Sequence, residues 1–238
     1  MNTHLTLGDI DVEVVLKDIK NIHLSVNPPT GKVRISAPNR TSMDAIRLFA
    51  ISKLGWIKQQ QQKLEAQTRE APREYVERES HYLWGKRYLL SVQEANRAPS
   101  VEVRHRKILL SVRPGTGATR RQEVLDEWYR RQVRAAVVPL LEKWPTIMGV
   151  RVEKLFIQKM KTKWGSCTPE RQYVRLNTDL AKKPVECLEY VLVHEMTHIL
   201  ERHHNQRFVE IMNGFFPNWR LLRQKLNESP LSHVEWEY

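Results

Sequence analysis

Between Pro184 and Leu200 the chain reads PVECLEYVLVHEMTHIL, and this stretch limits the fold more than any other. Leu188, Val191, Leu192, Met196 and Ile199 recur at spacings of three and four, which predicts a helix with one buried face. Pro184 suits the opening of that helix. Inside it, His194-Glu195-Met196-Thr197-His198 fits H-E-x-x-H. Residues four apart stand one turn apart on the same face, so two imidazoles can hold one ion without bending the backbone. Glu195 is rotated away from the ion and is placed to act on a water instead, which makes it the candidate catalytic base.

A catalytic zinc ion takes three protein ligands and keeps one position open. The third has to come from residues just downstream. His204 is favoured, six residues after His198, with His203 as the alternative and Glu201 as a ligand only if the helix ran on straight. In long motifs of this kind a glycine often lets the chain leave the helix. Glu201 stands at that place here, so the turn falls to Arg202, His203 or Asn205, and Asn205 is suited to cap a further helix. The expected cofactor is one zinc ion per chain, held by His194, His198 and His204. Zinc would bring the pKa of its water to about 7, with Glu195 accepting the proton. Candidates for the extra donor that binds substrate are Lys161, Lys163, Arg175 and Tyr190.

The rest of the chain reads as three segments: 1–75, 76–145 and 146–238. In the first, period-two alternation predicts strands at Leu5–Leu7, Val12–Leu16, Ile22–Val26 and Val33–Ala37, with a turn at Asn27–Gly31. A helix from Ser42 to about Leu64 follows, then a linker near Glu70–Ser80. The second segment predicts strands at His81–Val92, Val101–Arg104 and Ile108–Val112. A helix from Thr119 to Val138 comes next, which Pro139 should end or kink. KVRISAPNRTSMDAI and KILLSVRPGTGATRRQEVL share a plan, read as two instances of a common β-β-α unit. In the third segment, Val152–Met160 and Tyr173–Asn177 predict strands, and helices follow at Gln206–Asn213 and Asn218–Leu226. Trp56, Trp128, Trp144, Trp164 and Trp219 read as packing residues.

Composition narrows the function classes. The formal net charge is +12 over 238 residues, which favours anionic partners and allows nonspecific nucleic-acid contact. Two cysteines, Cys167 and Cys187, argue against a disulfide framework and for a reducing compartment, so a cytoplasmic location is expected. No apolar run approaches the roughly 18 residues of a membrane span.

The stretch KTKWGSCTPERQYVRLNTDLAKKPVECLEYVLVHEMTHILERHHNQRF resembles the YgjP-like zinc metallopeptidase family, which is related to SprT-type proteases. The resemblance is carried by Lys161–Cys167, Leu176-Asn177, Pro184, Glu189–His198, and His204 with Phe208. It implies His204 as third ligand and an α+β fold, with a β-rich N-terminal part followed by a zincin-like minidomain around the H-E-x-x-H helix. It also implies that Tyr173–Asn177 is the strand on which an extended substrate pairs. The expected activity is a zinc-dependent metallopeptidase acting on polypeptide. One alternative is a metal-dependent nucleotide pyrophosphatase, using Lys161, Lys163, Arg171 and Arg175. A nucleic-acid-associated binding protein with a structural metal is the other.

Overall fold

The structure, a computed structural model, describes residues 2–27, 31–66, 73–160 and 163–228. The centre of the turn expected at Asn27–Gly31 and the candidate donor Lys161 lie outside the described residues. The chain divides into two compact units, split between Glu70 and Ala71. Segment 76–145 and the described part of 146–238 therefore lie together in the second unit.

The first unit has β1 (Asn2–Leu7), β2 (Ile10–Lys17), β3 (His23–Asn27) and β4 (Lys32–Pro38), in the sheet order β1-β2-β4-β3. β2 and β4 are parallel and the outer pairs antiparallel. Ile10, Val12 and Val14 alternate inward, as do Val33, Ile35 and Ala37. Against them pack Ile46 and Ala50 of α1 (Met43–Ser52) and Ile57 of α2 (Leu54–Ala66). Ser42 caps α1 by accepting the Ala45 N–H at 3.3 Å. The single helix expected here is two, because Lys53 leaves the helical basin at φ −107° and ψ 3°. Gly55, just inside α2, adds no helical propensity to bridge the break. Trp56 does not pack as expected; it is 42% exposed. It stands about 100° around α2 from the fully buried Ile57.

The second unit begins with β5 (Ser80–Leu83), β6 (Lys86–Glu94), β7 (Ser100–Arg104) and β8 (Lys107–Val112), ordered β5-β6-β8-β7. Pairing senses repeat those of the first sheet. The weak sequence repeat thus corresponds to a four-strand plan followed by helix, larger than the β-β-α unit expected. Helix α3 (Ala118–Met148) does not end at Pro139, one of the two outcomes expected there, but continues past it. One lost backbone bond is outweighed by a buried stripe that continues on both sides, through Val133, Val137, Trp144 and Met148. Gly149, in the left-handed region at φ 62°, ends the helix.

The remaining strands are β9 (Lys154–Gln158), β10 (Gly165–Thr168) and β11 (Tyr173–Asn177), ordered β10-β11-β9. β11 is the central strand, antiparallel to β10 and parallel to β9. The expectation that Tyr173–Asn177 pairs with substrate is corrected by this register: both of its edges are already hydrogen-bonded. Among the described residues the strand with a free edge beside the next helix is β10. That helix, α4 (Val185–Leu200), packs on β10 and β11, and is followed by α5 (Gln206–Phe215) and α6 (Trp219–Glu228).

Further contacts brace the segments on either side of β11. The β5–β6 hairpin turns on Trp84 and Gly85, both at positive φ, and the Trp84 N–H donates to Ala181 O at 2.7 Å. A side chain at Gly85 would come within 3.0 Å of Pro184, so the hairpin presses on the residue that starts α4. Asn177, fully buried, organises the loop before β10. Its Nδ2 donates to Met160 O at 2.9 Å and Lys163 O at 2.8 Å, and its Oδ1 accepts the Asp179 N–H at 3.0 Å. Asn177→Leu strands all three backbone groups. It should lower unfolding free energy by about 2–4 kcal/mol, measured by chemical denaturation.

Candidate metal centre

Helix α4 delivers His194 and His198 one turn apart, and its end delivers the third imidazole. The helix stops after Leu200, where Glu201 is extended at φ −144° and ψ 114°. That conformation is open to any residue, which is why no glycine is needed at this position. Glu201 Oε1 accepts the His203 N–H at 3.2 Å, and Asn205 caps α5 by accepting the Phe208 N–H at 3.0 Å, as its sequence predicted. Between these two fixed points His204 swings back over α4. Ligand atoms of His194, His198 and His204 all lie within 4.8 Å of one another. His203 and Glu201 are not part of the cluster.

Several observations test whether this group suits a divalent metal. His194 Nε2 and His204 Nε2 stand 3.1 Å apart. Two nitrogens on a tetrahedral zinc at 2.0–2.1 Å would be separated by about 3.3 Å. His198 Nδ1 lies 3.2 Å from Glu201 O, a contact that places its proton there and leaves Nε2 with a free lone pair. Among the described residues, the buried His194 Nδ1 has no hydrogen-bond partner. Phe208, buried, packs its ring 4.7–5.0 Å from all three imidazole centroids and forms their common floor. Three imidazoles gathered in this way are a donor set that zinc accepts.

Protonation favours the same state. Burial, with His198 and His204 beside it, pushes the His194 pKa down to about 3. Burial also lowers His198 and His204. Because each shift is downward, the neutral form persists below the ordinary histidine range. Three histidines with the usual pKa would lose about 70-fold in metal affinity between pH 8 and pH 6. A clearly smaller loss is expected here, measured by competition with a chromogenic chelator at each pH.

Glu195 occupies the next position around α4 and is also buried. Burial drives its pKa up to about 8, opposed by the charge of Lys163. The carboxylate lies flat against Gly165 on β10. A Cβ there would come within 2.7 Å of both Glu195 Cγ and Oε1. Gly165 is not at positive φ, so its need for glycine is close approach alone. Gly165→Ala should displace the carboxylate and reduce kcat by about 100-fold. Metal affinity should be unchanged, and both are read from steady-state kinetics and metal titration.

Of the four candidate donors, Tyr190 and Lys163 lie near this group. Tyr190 is buried one turn before His194, its ring edge-on at 5.9 Å, and burial pushes its pKa up to about 12. Lys163 is exposed and close enough to act on Glu195. Arg175 is not gathered. It is paired in register with Ser166, which puts it on the opposite sheet face from Gly165. There it donates to Thr168 Oγ1 at 3.1 Å and lies over the Phe156 ring. Cys167 shares the Gly165 face, where burial and Glu195 push its pKa up to about 12, and it lies outside the group formed by His194, His198 and His204. Sequence reasoning missed Gly165 and Asn177 as positioning residues, and it missed Arg223. The Arg223 charge on α6 acts on Tyr190, His194 and His204. Only the Gly165-Ser166 and Leu176-Asn177 pairs in the sequence pattern pointed to the first two.

No curated protein sequence matches the chain. Among solved structures it is similar to the metallopeptidase zymogen of Pyrococcus abyssi abylysin, with a TM-score of 0.35 and 20% identity over 38% of this chain and 90% of that one. It is also similar to the metallopeptidase zymogen of Methanocaldococcus jannaschii jannalysin, with a TM-score of 0.30 and 19% identity over 41% of this chain and 92% of that one. The YgjP-like metallopeptidase domain matches residues 20–229, and the chain therefore belongs to the YgjP-like metallopeptidase family.

Proposed function

We propose that this metallopeptidase is zinc-dependent and hydrolyses extended polypeptide, with Glu195 as general base and His194, His198 and His204 as ligands. The observation that carries this reading is the pressing of a buried carboxylate against Gly165, one helix position from the imidazole cluster. A zinc ion at the cluster would supply Lewis acidity and make water acidic enough to ionise near neutral pH.

Glu195 takes the proton of the attacking water and returns it to the leaving amine. The close approach of Gly165 holds the carboxylate in place for this role. Tyr190 keeps its proton at every working pH and can donate to the charge that develops on the substrate oxygen. The free edge of β10 offers backbone donors and acceptors to an extended peptide beside Glu195. The nucleotide reading is weaker, because Arg175, one of its four cations, faces away from the cluster.

Zinc-loaded protein incubated with an unfolded polypeptide, and separately with the common nucleoside triphosphates, tests the choice. New peptide N-termini without pyrophosphate release support the proposal. Pyrophosphate release with intact polypeptide rejects it.

A further inference from the structure

We propose that the solvent-facing side of the β10-β11-β9 sheet binds single-stranded nucleic acid, two adjacent bases stacking on Phe156 and Tyr173. This platform lies on the sheet face away from α4, and the argument for it does not use the metal centre.

Register assigns the face. Lys154 pairs with Tyr173, and Phe156 with Arg175, so these four side chains stand on one side of the sheet. Arg175 pairs onward with Ser166 and Tyr173 with Thr168, which adds two hydroxyls. Exposure alternates accordingly along β9: Lys154 and Phe156 are exposed, and Ile157 between Phe156 and Gln158 is buried. Gly165, on the other side of β10, meets Glu195 instead.

What this face displays is a paired set of rings and cations. Phe156 and Tyr173 meet edge-on with centroids 5.8 Å apart. The Arg175 guanidinium lies 5.2 Å from the Phe156 centroid, and Lys154 Nζ lies 5.5 Å from that of Tyr173. Aromatic side chains on an open sheet, with a cation beside each, are what successive unpaired bases and their phosphates require. A duplex hides its base faces and cannot use the rings. Charge agrees with the choice. The flanking acids are neutralised, Glu153 by Arg151 at 2.7 Å and Glu170 by Arg202 at 3.2 Å. The net charge of +12 draws polyanions toward the chain at long range. An acidic peptide would satisfy the cations but leave the rings without a flat partner.

The test uses the full zinc-loaded chain and fluorescence anisotropy of a labelled twelve-residue oligodeoxythymidine, its duplex form, and a glutamate-rich peptide. Single-stranded DNA should bind best. Phe156→Ala should weaken that binding by roughly fivefold to 100-fold. Lys154→Gln should reduce the salt slope by about 0.7. Both positions are exposed on an edge strand, so circular dichroism and polypeptide cleavage should stay at wild-type levels. Equal affinity for duplex or peptide, or binding untouched by Phe156→Ala, would overturn the proposal.

Discussion

Glu195→Gln is expected to reduce polypeptide hydrolysis by about 10⁴-fold while leaving metal binding intact. Glutamine keeps the volume that packs on Gly165 and keeps an oxygen in place. It cannot accept the proton of the attacking water, and it cannot return one to the leaving amine. Loss should therefore fall on kcat, with KM little changed, because nothing in substrate pairing along β10 is altered. Equilibrium dialysis with zinc would show the same stoichiometry as wild type. A variant that kept more than a tenth of wild-type turnover would remove Glu195 from the reaction. Gly165→Ala acts on the same carboxylate by moving it and should give the smaller loss.

His204→Ala is expected to have the larger effect on metal. Two imidazoles on α4 remain, but the donor that closes the cluster is gone. Losing an outer hydrogen-bond partner costs a metal site about 10–100-fold in affinity. Losing a ligand should cost more than 10³-fold, with activity lost in proportion at limiting zinc. His204 is exposed and lies in the loop between α4 and α5, so the fold should tolerate the change. His203→Ala separates the neighbours: affinity should remain within a few-fold of wild type, since His203 stands outside the cluster. If His203→Ala released the metal and His204→Ala did not, the ligand assignment would be reversed.

How far the sequence could be read depended on how local each feature was. His194 and His198 were legible because helical spacing alone puts them on one face. His204 followed from distance along the chain, though not the way the turn is made, since an extended Glu201 leaves no residue signature. The inward alternation of Val12, Val14, Val33 and Ile35 was legible for the same reason. Features that depend on pairing across the chain were not. Tyr173–Asn177 reads as a strand, but whether it is an edge or a centre depends on its pairing with β9 and β10, which the alternation within one strand does not reveal. The side of the sheet that Arg175 takes is set by the same register. The contact of Gly165 with Glu195 spans thirty positions and is visible only once α4 lies on β10. Helix α3 passes Pro139 because buried residues on both sides hold it, a tertiary effect that overrides the local signal.

The central claim is that three imidazoles and no sulfur hold one zinc ion beside Glu195. X-ray absorption spectroscopy of the protein loaded with one equivalent of zinc reads the ligand atoms directly. The account predicts nitrogen or oxygen neighbours at about 2.0–2.1 Å, with the multiple-scattering signature of three imidazoles. A sulfur neighbour at about 2.3 Å, which would bring in Cys167, or fewer than two imidazoles, would contradict it.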